Sequence, residues 1–249
     1  MTIEQWMGWG LTSLAVIGFT AIGLVAVWPR WRRWRVLRQA CREGFQHLPL
    51  KSAEAQRLLA PAAAGLLGLG PGCSLRAVWK MPLPEAYVAT IRCHYSTPRP
   101  GGTTRKYRTY IRFVVLEPLS IDTAFTVQKL PPNNPLARLV TGMIEQRTGA
   151  ALRSDETLLP AFRAQFAVRG SVPLSSSGIE LSDTFQLACL DRHQGGNAPL
   201  DLGRLLGEEG GLVVSPQGLL LEPNQNYAPR SVAELQAIVA LLTELLRSI

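Results

Sequence analysis

The amino-acid sequence predicts an α+β protein in which one N-terminal transmembrane helix precedes a cytoplasmic domain with a mixed or antiparallel sheet and packed helices. Three observations lead to this prediction. A long uncharged segment opens the chain, short runs with strand-like alternation follow, and a wide apolar stripe of helical period ends it. We predict an anchor over residues 1–29, a basic juxtamembrane segment over 30–50, and a domain over 51–249 with a candidate subdivision near residue 150.

The uncharged segment runs from Gln5 to Pro29, which is 25 residues without Asp, Glu, Lys or Arg. About 20 apolar residues are enough to cross the hydrocarbon core of a bilayer. Tryptophan settles at the headgroup level, and tryptophans stand at both ends of this segment. The sequence therefore predicts a single membrane-spanning helix over residues 6–28. Its interfacial residues are Trp6, Trp9, Trp28, Trp31 and Trp34.

The charges beside the apolar segment predict its orientation. Six arginines follow the segment, whereas only Glu4 precedes it. Positive residues stay on the cytoplasmic side, so we expect the N-terminus outside, the domain in the cytoplasm, and a bacterial inner membrane as the location. A cleaved signal peptide would instead carry positive charge before its apolar part. The arginines either contact anionic headgroups or only fix the topology; those nearest the membrane are Arg30, Arg32, Arg33, Arg35 and Arg38.

The net charge of +8 is mostly explained by this flank. Residues 43–249 hold 20 of the 26 basic residues and 17 of the 18 acidic ones, so their balance is only +3. One basic cluster remains, because no Asp or Glu occurs between Glu85 and Glu117. It consists of Arg92, Arg99, Arg105, Lys106, Arg108 and Arg112. A nearly neutral domain favours a protein partner over nucleic acid.

The first half of the domain reads as one helix and several strands. Ser52 is a predicted N-cap for a helix that Pro61 interrupts and that ends near Leu67. The glycines of residues 68–72 indicate a turn and not a phosphate loop, because the following Lys-Ser/Thr is missing. Strands are predicted at residues 75–79, 87–95, 107–116 and 123–130.

The basic cluster coincides with a predicted hairpin. Residues 96–104 are rich in Pro and Gly and indicate a long exposed loop between two strands. If those strands pair, one hairpin carries all six basic residues, with Tyr107, Tyr110 and Phe113 between them. Such a pattern can bind single-stranded nucleic acid by phosphate pairing and base stacking. The other interpretation is an edge hairpin whose charges prevent unwanted strand pairing.

The second half of the domain mixes predicted strands and helices. A helix begins at Asn134 and Pro135 and ends near Gly149. Alternating apolar residues predict strands at 162–168 and 184–190, which could pair. Further predictions are a short helix at 199–206, strands at 212–215 and 218–222, and a last helix from a Ser231–Glu234 capping box, whose broad apolar stripe is expected to lie against the sheet.

The cysteines indicate neither a disulfide framework nor a metal site. Cys41, Cys73, Cys93 and Cys189 are widely spaced without a C-x-x-C pair, so we expect free thiols in a reducing cytoplasm. Cys93 and His94 are adjacent in a predicted strand and therefore point to opposite faces, which makes joint ligation of one ion awkward. No metal or cofactor is expected.

Candidate catalytic residues are few. Asp191 and His193 cluster at the end of a predicted strand, but no nucleophile motif accompanies them. We therefore expect a membrane-anchored, non-catalytic interaction or assembly subunit of a membrane protein complex. Two alternatives stay open. One is a membrane-surface enzyme that uses Asp191 and His193, and the other is a membrane-tethered nucleic-acid binder that uses the hairpin of residues 92–112.

Overall fold

The computed structural model describes residues 35–99, 102–130, 158–170, 181–195, 198–225 and 227–249. They form an α+β fold around one eight-stranded sheet in which every pair of neighbours is antiparallel. The predicted fold class is therefore confirmed for the domain. Within the described ranges, no helix is long and apolar enough to cross a bilayer. The predicted transmembrane helix, residues 6–28, and the predicted helix from Asn134 to Gly149 lie outside them.

The helices in chain order are α1 (35–40, continued by a 3-10 turn over Cys41–Glu43), α2 (Ala53–Arg57), α3 (Pro61–Leu66), α4 (Pro160–Gln165), α5 (Asp183–Leu190), α6 (Leu202–Leu206) and α7 (Val232–Ser248). The strands are β1 (Gln46–Leu48), β2 (Cys73–Lys80), β3 (Ala86–Arg99), β4 (Gly102–Val115), β5 (Phe125–Lys129), β6 (Phe166–Gly170), β7 (Arg192–Gly195), β8 (Ala198–Asp201), β9 (Gly211–Ser215) and β10 (Gly218–Glu222). The main sheet has the order β1-β2-β3-β4-β10-β9-β5-β6, and β7 pairs with β8 apart from it.

Helices cover both faces of the main sheet. On β3, Ala86 and Val88 belong to one core cluster, while Tyr87 and Ala89 belong to the other, as the alternation of side chains along a strand requires. The larger cluster joins the sheet to α1, α4, α5, α6 and α7. The smaller one joins it to α2 and α3 through Ala55, Leu58 and Leu67.

The helix predicted from Ser52 is confirmed, with a break at Pro61. The Ser52 hydroxyl accepts a hydrogen bond from Ala55 N, and Pro61 opens a second short helix. Glu54 attaches α2 to the sheet, because its Oε1 lies 2.6 Å from Lys80 Nζ. The hydrogen bond from Lys80 lowers the pKa of the Glu54 carboxyl below its usual value.

The hairpin of β3 and β4 is longer than predicted. Its register runs without a shift from Ala86 opposite Val115 to Arg99 opposite Gly102. The prediction of a long loop over residues 96–104 is therefore wrong, since only residues 100 and 101 separate the two strands. The cross-strand pairs continue through Pro98, whose missing N–H is tolerated on an edge strand.

This hairpin extends beyond its neighbours in the sheet. β2 pairs with β3 as far as Cys73 opposite Cys93. β10 pairs with β4 only at residues 113–115. Residues 93–108, called the arm below, thus form a two-stranded ribbon. At a rise of about 3.4 Å per residue, the arm reaches about 20 Å past the last β2 pair.

The prediction of paired strands at 162–168 and 184–190 is wrong. Residues 160–165 are helical and only 166–170 form a strand, which pairs with β5. Residues 183–190 form α5, because the Ser182 hydroxyl accepts from Phe185 N and caps the helix. Phe185, Ala188 and Cys189 are buried at helical spacing, so burial on one helix face outweighs the strand propensity of this segment.

A fully buried glutamine connects α5 to the segments around it. Gln186 has no exposed surface. Its Oε1 accepts from Leu159 N at 2.7 Å, and its Nε2 donates to the carbonyl of Leu181 at 2.8 Å. These two bonds attach α5 to the partly buried residues Leu159 and Leu181.

The C-terminal predictions are mostly confirmed. The strands at 212–215 and 218–222 form the hairpin of β9 and β10. The predicted helix at 199–206 is half correct, because residues 198–201 form β8 and Asp201 caps α6. Ser231 caps α7, whose apolar face is buried in the larger core and packs against β7, β8 and α5.

Two of the four cysteines are not free thiols, contrary to prediction. Cys73 and Cys93 face each other across β2 and β3 with Cα atoms 4.0 Å apart, and they form a disulfide. Cys41 is free and exposed, and Cys189 is free and buried. Burial raises the pKa of the Cys189 thiol, which keeps it protonated and unreactive.

Candidate binding surface on the hairpin arm

The arm holds most of the predicted basic cluster. Arg105, Lys106 and Arg108 are exposed on β4, and Arg99 lies at the tip opposite Gly102. Arg92 and Arg112 lie just below the arm, where the hairpin joins the sheet. The structure therefore brings all six residues onto one hairpin, as the sequence predicted, in a stretch without a single carboxylate.

Basic residues lie on both faces of the ribbon. Directly opposite residues share a face, and the face alternates along each strand. Arg105 thus lies on the same face as His94 and Tyr107. Lys106 and Arg108 lie on the other face with Tyr95. A partner that neutralises all of this charge must reach both faces.

Two arginine–tyrosine contacts stiffen the ribbon diagonally across its strands. The guanidinium of Arg92 lies 4.6 Å from the centre of the Tyr107 ring on one face. On the other face, that of Arg108 lies 5.3 Å from the Tyr95 ring. A cation over an aromatic ring is attracted by the negative face of the ring. These contacts help the ribbon to stay ordered where no third strand from the described residues lies beside it.

Arg112 differs from the rest of the cluster, because its charge is already satisfied inside the domain. Its Nη2 lies 2.6 Å from Glu222 Oε1, and only 16% of its side chain is exposed. Its Nη1 donates to the carbonyl of Leu67. Gly68 adopts a φ of +59°, and a Cβ there would lie 2.8 Å from Arg112 Nη1, so glycine is needed for this close approach.

A cleft of about 330 Å³ opens where the arm joins the sheet. Its charges are mixed, since two arginines face two glutamates. Arg108 spans it by donating to the side chain of Gln225. The cleft is lined by Arg108, Tyr110, Ile111, Arg112, Glu209, Glu222, Pro223 and Gln225.

The cleft exists because β10 stops early. β10 runs beside β4 until Leu221 lies opposite Phe113, and Glu222 is its last residue. Pro223 has no N–H to donate to a neighbouring strand. The chain then turns towards α6, where Asn224 N donates to the carbonyl of Leu205. Past Phe113, β4 has no strand neighbour on that side among the described residues.

The other predicted site residues lie away from the arm. Asp191 is exposed and ends α5, and His193 lies in β7 opposite Leu200, so the pair follows a helix and not the predicted strand. Arg35 and Arg38 are exposed on α1. The described residues contain no group of three or more His, Cys, Asp or Glu suited to a metal ion. The remaining interfacial residues fall in 1–34, outside the described part.

Tyr95 and the cleft residues Glu222 and Gln225 were not predicted to belong to the site. Tyr95 could have been found, because a turn placed at Pro100 and Gly101 brings it diagonally across from Arg108. The cleft residues come from a distant part of the chain. Only the pairing of β10 with β4 brings them beside the arm.

Comparisons of the chain with protein families, with curated proteins and with solved structures found no match.

Proposed function

We propose that this chain is a membrane-anchored, non-catalytic interaction subunit that binds an acidic surface of a partner protein through its arm. One observation carries the proposal. A ribbon with four basic residues and no acidic one projects past the sheet, while the rest of residues 43–249 holds 16 basic and 17 acidic residues. The predicted anchor would hold this arm in a membrane complex.

Protection of a sheet edge is a weaker explanation for the arm. A few charges on a short edge strand are enough to prevent edge-to-edge pairing. Here the ribbon continues beyond its neighbours, and its described residues past Cys93 belong to neither core cluster. A two-stranded ribbon is marginal in water, and like charges raise its free energy further. A binding role explains why such a costly element is present.

Charge balance favours a protein over nucleic acid as the partner. Outside the six basic residues of the hairpin, residues 43–249 are net negative by three charges, which repels an extended polyanion. Each of Tyr95 and Tyr107 already has an arginine over its ring, which limits base stacking. An acidic patch on a protein needs only the arm.

Reversal of the arm's charge tests this function. We expect the full chain with Arg105→Glu, Lys106→Glu and Arg108→Glu to lose the proteins that co-purify with the wild type in mild detergent. The wild-type association should also weaken as salt is raised, because exposed charges are screened over about 10 Å at 0.1 M salt.

The matched control changes the same charge elsewhere. Lys51, Arg163 and Arg247 are exposed on three other parts of the domain, and their replacement by Glu should leave the association intact. Equal loss from both triple variants, or a wild type that purifies alone, would contradict the proposal.

A further inference from the structure

We infer that the partner binds as an extended acidic segment that adds a strand to the outer edge of β4. The added strand would occupy the position that β10 would take if it continued past Pro223. The inference rests on the proposed function, since it specifies how the arm holds its partner. It concerns one occupant, a protein segment rich in Asp or Glu. Three observations carry it: the direction of the backbone groups, the end of β10, and the position of the charges.

The register determines which backbone groups of β4 point outward. Leu116 N donates to the carbonyl of Glu85, so the even-numbered residues at this end of β4 point their backbone groups towards β3. At the other end, His94 N donates to Gly72 on the β2 side, which leaves Cys93 and its opposite residue Arg108 bonded to each other. Both ends of the hairpin therefore give the same direction for the backbone groups, and the register of β3 and β4 does not shift between them.

The odd-numbered residues therefore present N–H and C=O groups to the outer edge. Phe113 and Val115 use theirs to pair with β10. Thr103, Arg105, Thr109 and Ile111 continue the same row along β4, where no described strand lies beside them. Such a row is a template for an added strand, because each backbone group needs a partner.

The charges on β4 select an acidic segment. Side chains of an added strand alternate between the two faces and meet those of β4 across the pair. Arg105 lies on one face, while Lys106 and Arg108 lie on the other. Carboxylates on both faces of the added strand would meet these cations. A flat lipid surface could contact only one face at a time.

Hydrogen exchange measured by NMR on the full chain in mild detergent tests the inference. The probe is a synthetic peptide of repeated Glu-Glu-Val-Val, as long as residues 102–112, which places carboxylates on both faces of an added strand. We expect the amides of Thr103, Arg105, Thr109 and Ile111 to gain protection on binding. The amides of even-numbered residues, already bonded to β3, should change little. Uniform protection of the arm, or protection by oligo-dT or phosphatidylglycerol vesicles and not by the peptide, would overturn it.

A pair of variants isolates the backbone contribution. Arg105→Ala and Arg105→Pro lose the same charge, but only the proline removes an outward N–H, and it leaves the bonds to β3 in place. We expect the proline variant to bind the peptide at least fivefold more weakly than the alanine variant. Equal affinity would overturn strand addition. If the two Arg105 variants bind equally but the charge-reversed triple variant still loses its partner proteins, strand addition is wrong and the proposed function stands.

Discussion

At the scale of single residues, the basic cluster divides into two kinds of arginine that look alike in the sequence. Arg112 is held by Glu222 and by the carbonyl of Leu67, whereas Arg105 is exposed on the arm. The sequence could predict the cluster from its lack of carboxylates. The sequence could not distinguish the paired arginine from the exposed ones, because Glu222 is distant in the chain and reaches Arg112 only through the pairing of β10 with β4.

This difference predicts a large loss of stability when Arg112 is replaced and almost none when Arg105 is replaced. Arg112→Met should lower the free energy of unfolding by about 1–3 kcal/mol, because hydrogen bonds to a charged group are lost and Glu222 keeps its charge without a partner. Arg105→Met should change it by less than about 0.5 kcal/mol, as is usual for exposed positions. Urea unfolding of both variants measures this. Equal stabilities would show that Arg112 has no structural role.

At the scale of elements, the sequence predicted strands well where turn residues bound an apolar or alternating run, and it predicted short helices poorly. β2, β3, β4, β9 and β10 follow from alternation and turn residues. Residues 183–190 contain strand-favouring Thr, Phe and Cys, yet Ser182 caps them into a helix. Short helices are decided by caps and burial. The sequence underestimates the arm's length, because the Pro and Gly residues of 96–104 indicate a loop although both strands continue through most of this segment.

Gln186 offers a test of how α5 is held. Replacement by Leu keeps a similar volume but removes the hydrogen bonds to Leu159 N and to the carbonyl of Leu181, both at partly buried residues. Each such group costs about 1–3 kcal/mol, so we expect the variant to lose about 2–4 kcal/mol of unfolding free energy. Gln165→Leu, at an exposed position on α4, is the matched control. A loss no larger than that of the control would contradict this role.

At the scale of the whole molecule, the disulfide and the arginine flank indicate different cellular compartments for the domain. Disulfides persist in oxidising compartments, whereas six arginines after the predicted span favour the cytoplasm. The disulfide could not be predicted from spacing alone. Cys73 and Cys93 meet only because β2 carries a register shift between Leu75 and Ala77.

The orientation that the arginine flank predicts also predicts the redox state of Cys73 and Cys93 in the cell. If the domain is cytoplasmic, Cys73 and Cys93 should be reduced in the cell and should form the disulfide when the purified protein is oxidised. Rapid alkylation of intact cells followed by mass spectrometry of the peptides measures this state, with exposed Cys41 as the control for reagent access. Full oxidation of the pair in cells would contradict the cytoplasmic orientation.

The way α1 packs has a consequence for how a partner would be found. Val36, Leu37 and Ala40 are buried in the larger core, so the domain begins within a few residues of the predicted span. Residues 30–34 can extend over at most about 18 Å. An anchored chain would therefore carry its arm within a thin layer above the bilayer. Search in that layer is two-dimensional, and two anchored proteins meet there at a high effective concentration, so even a weak strand addition would suffice.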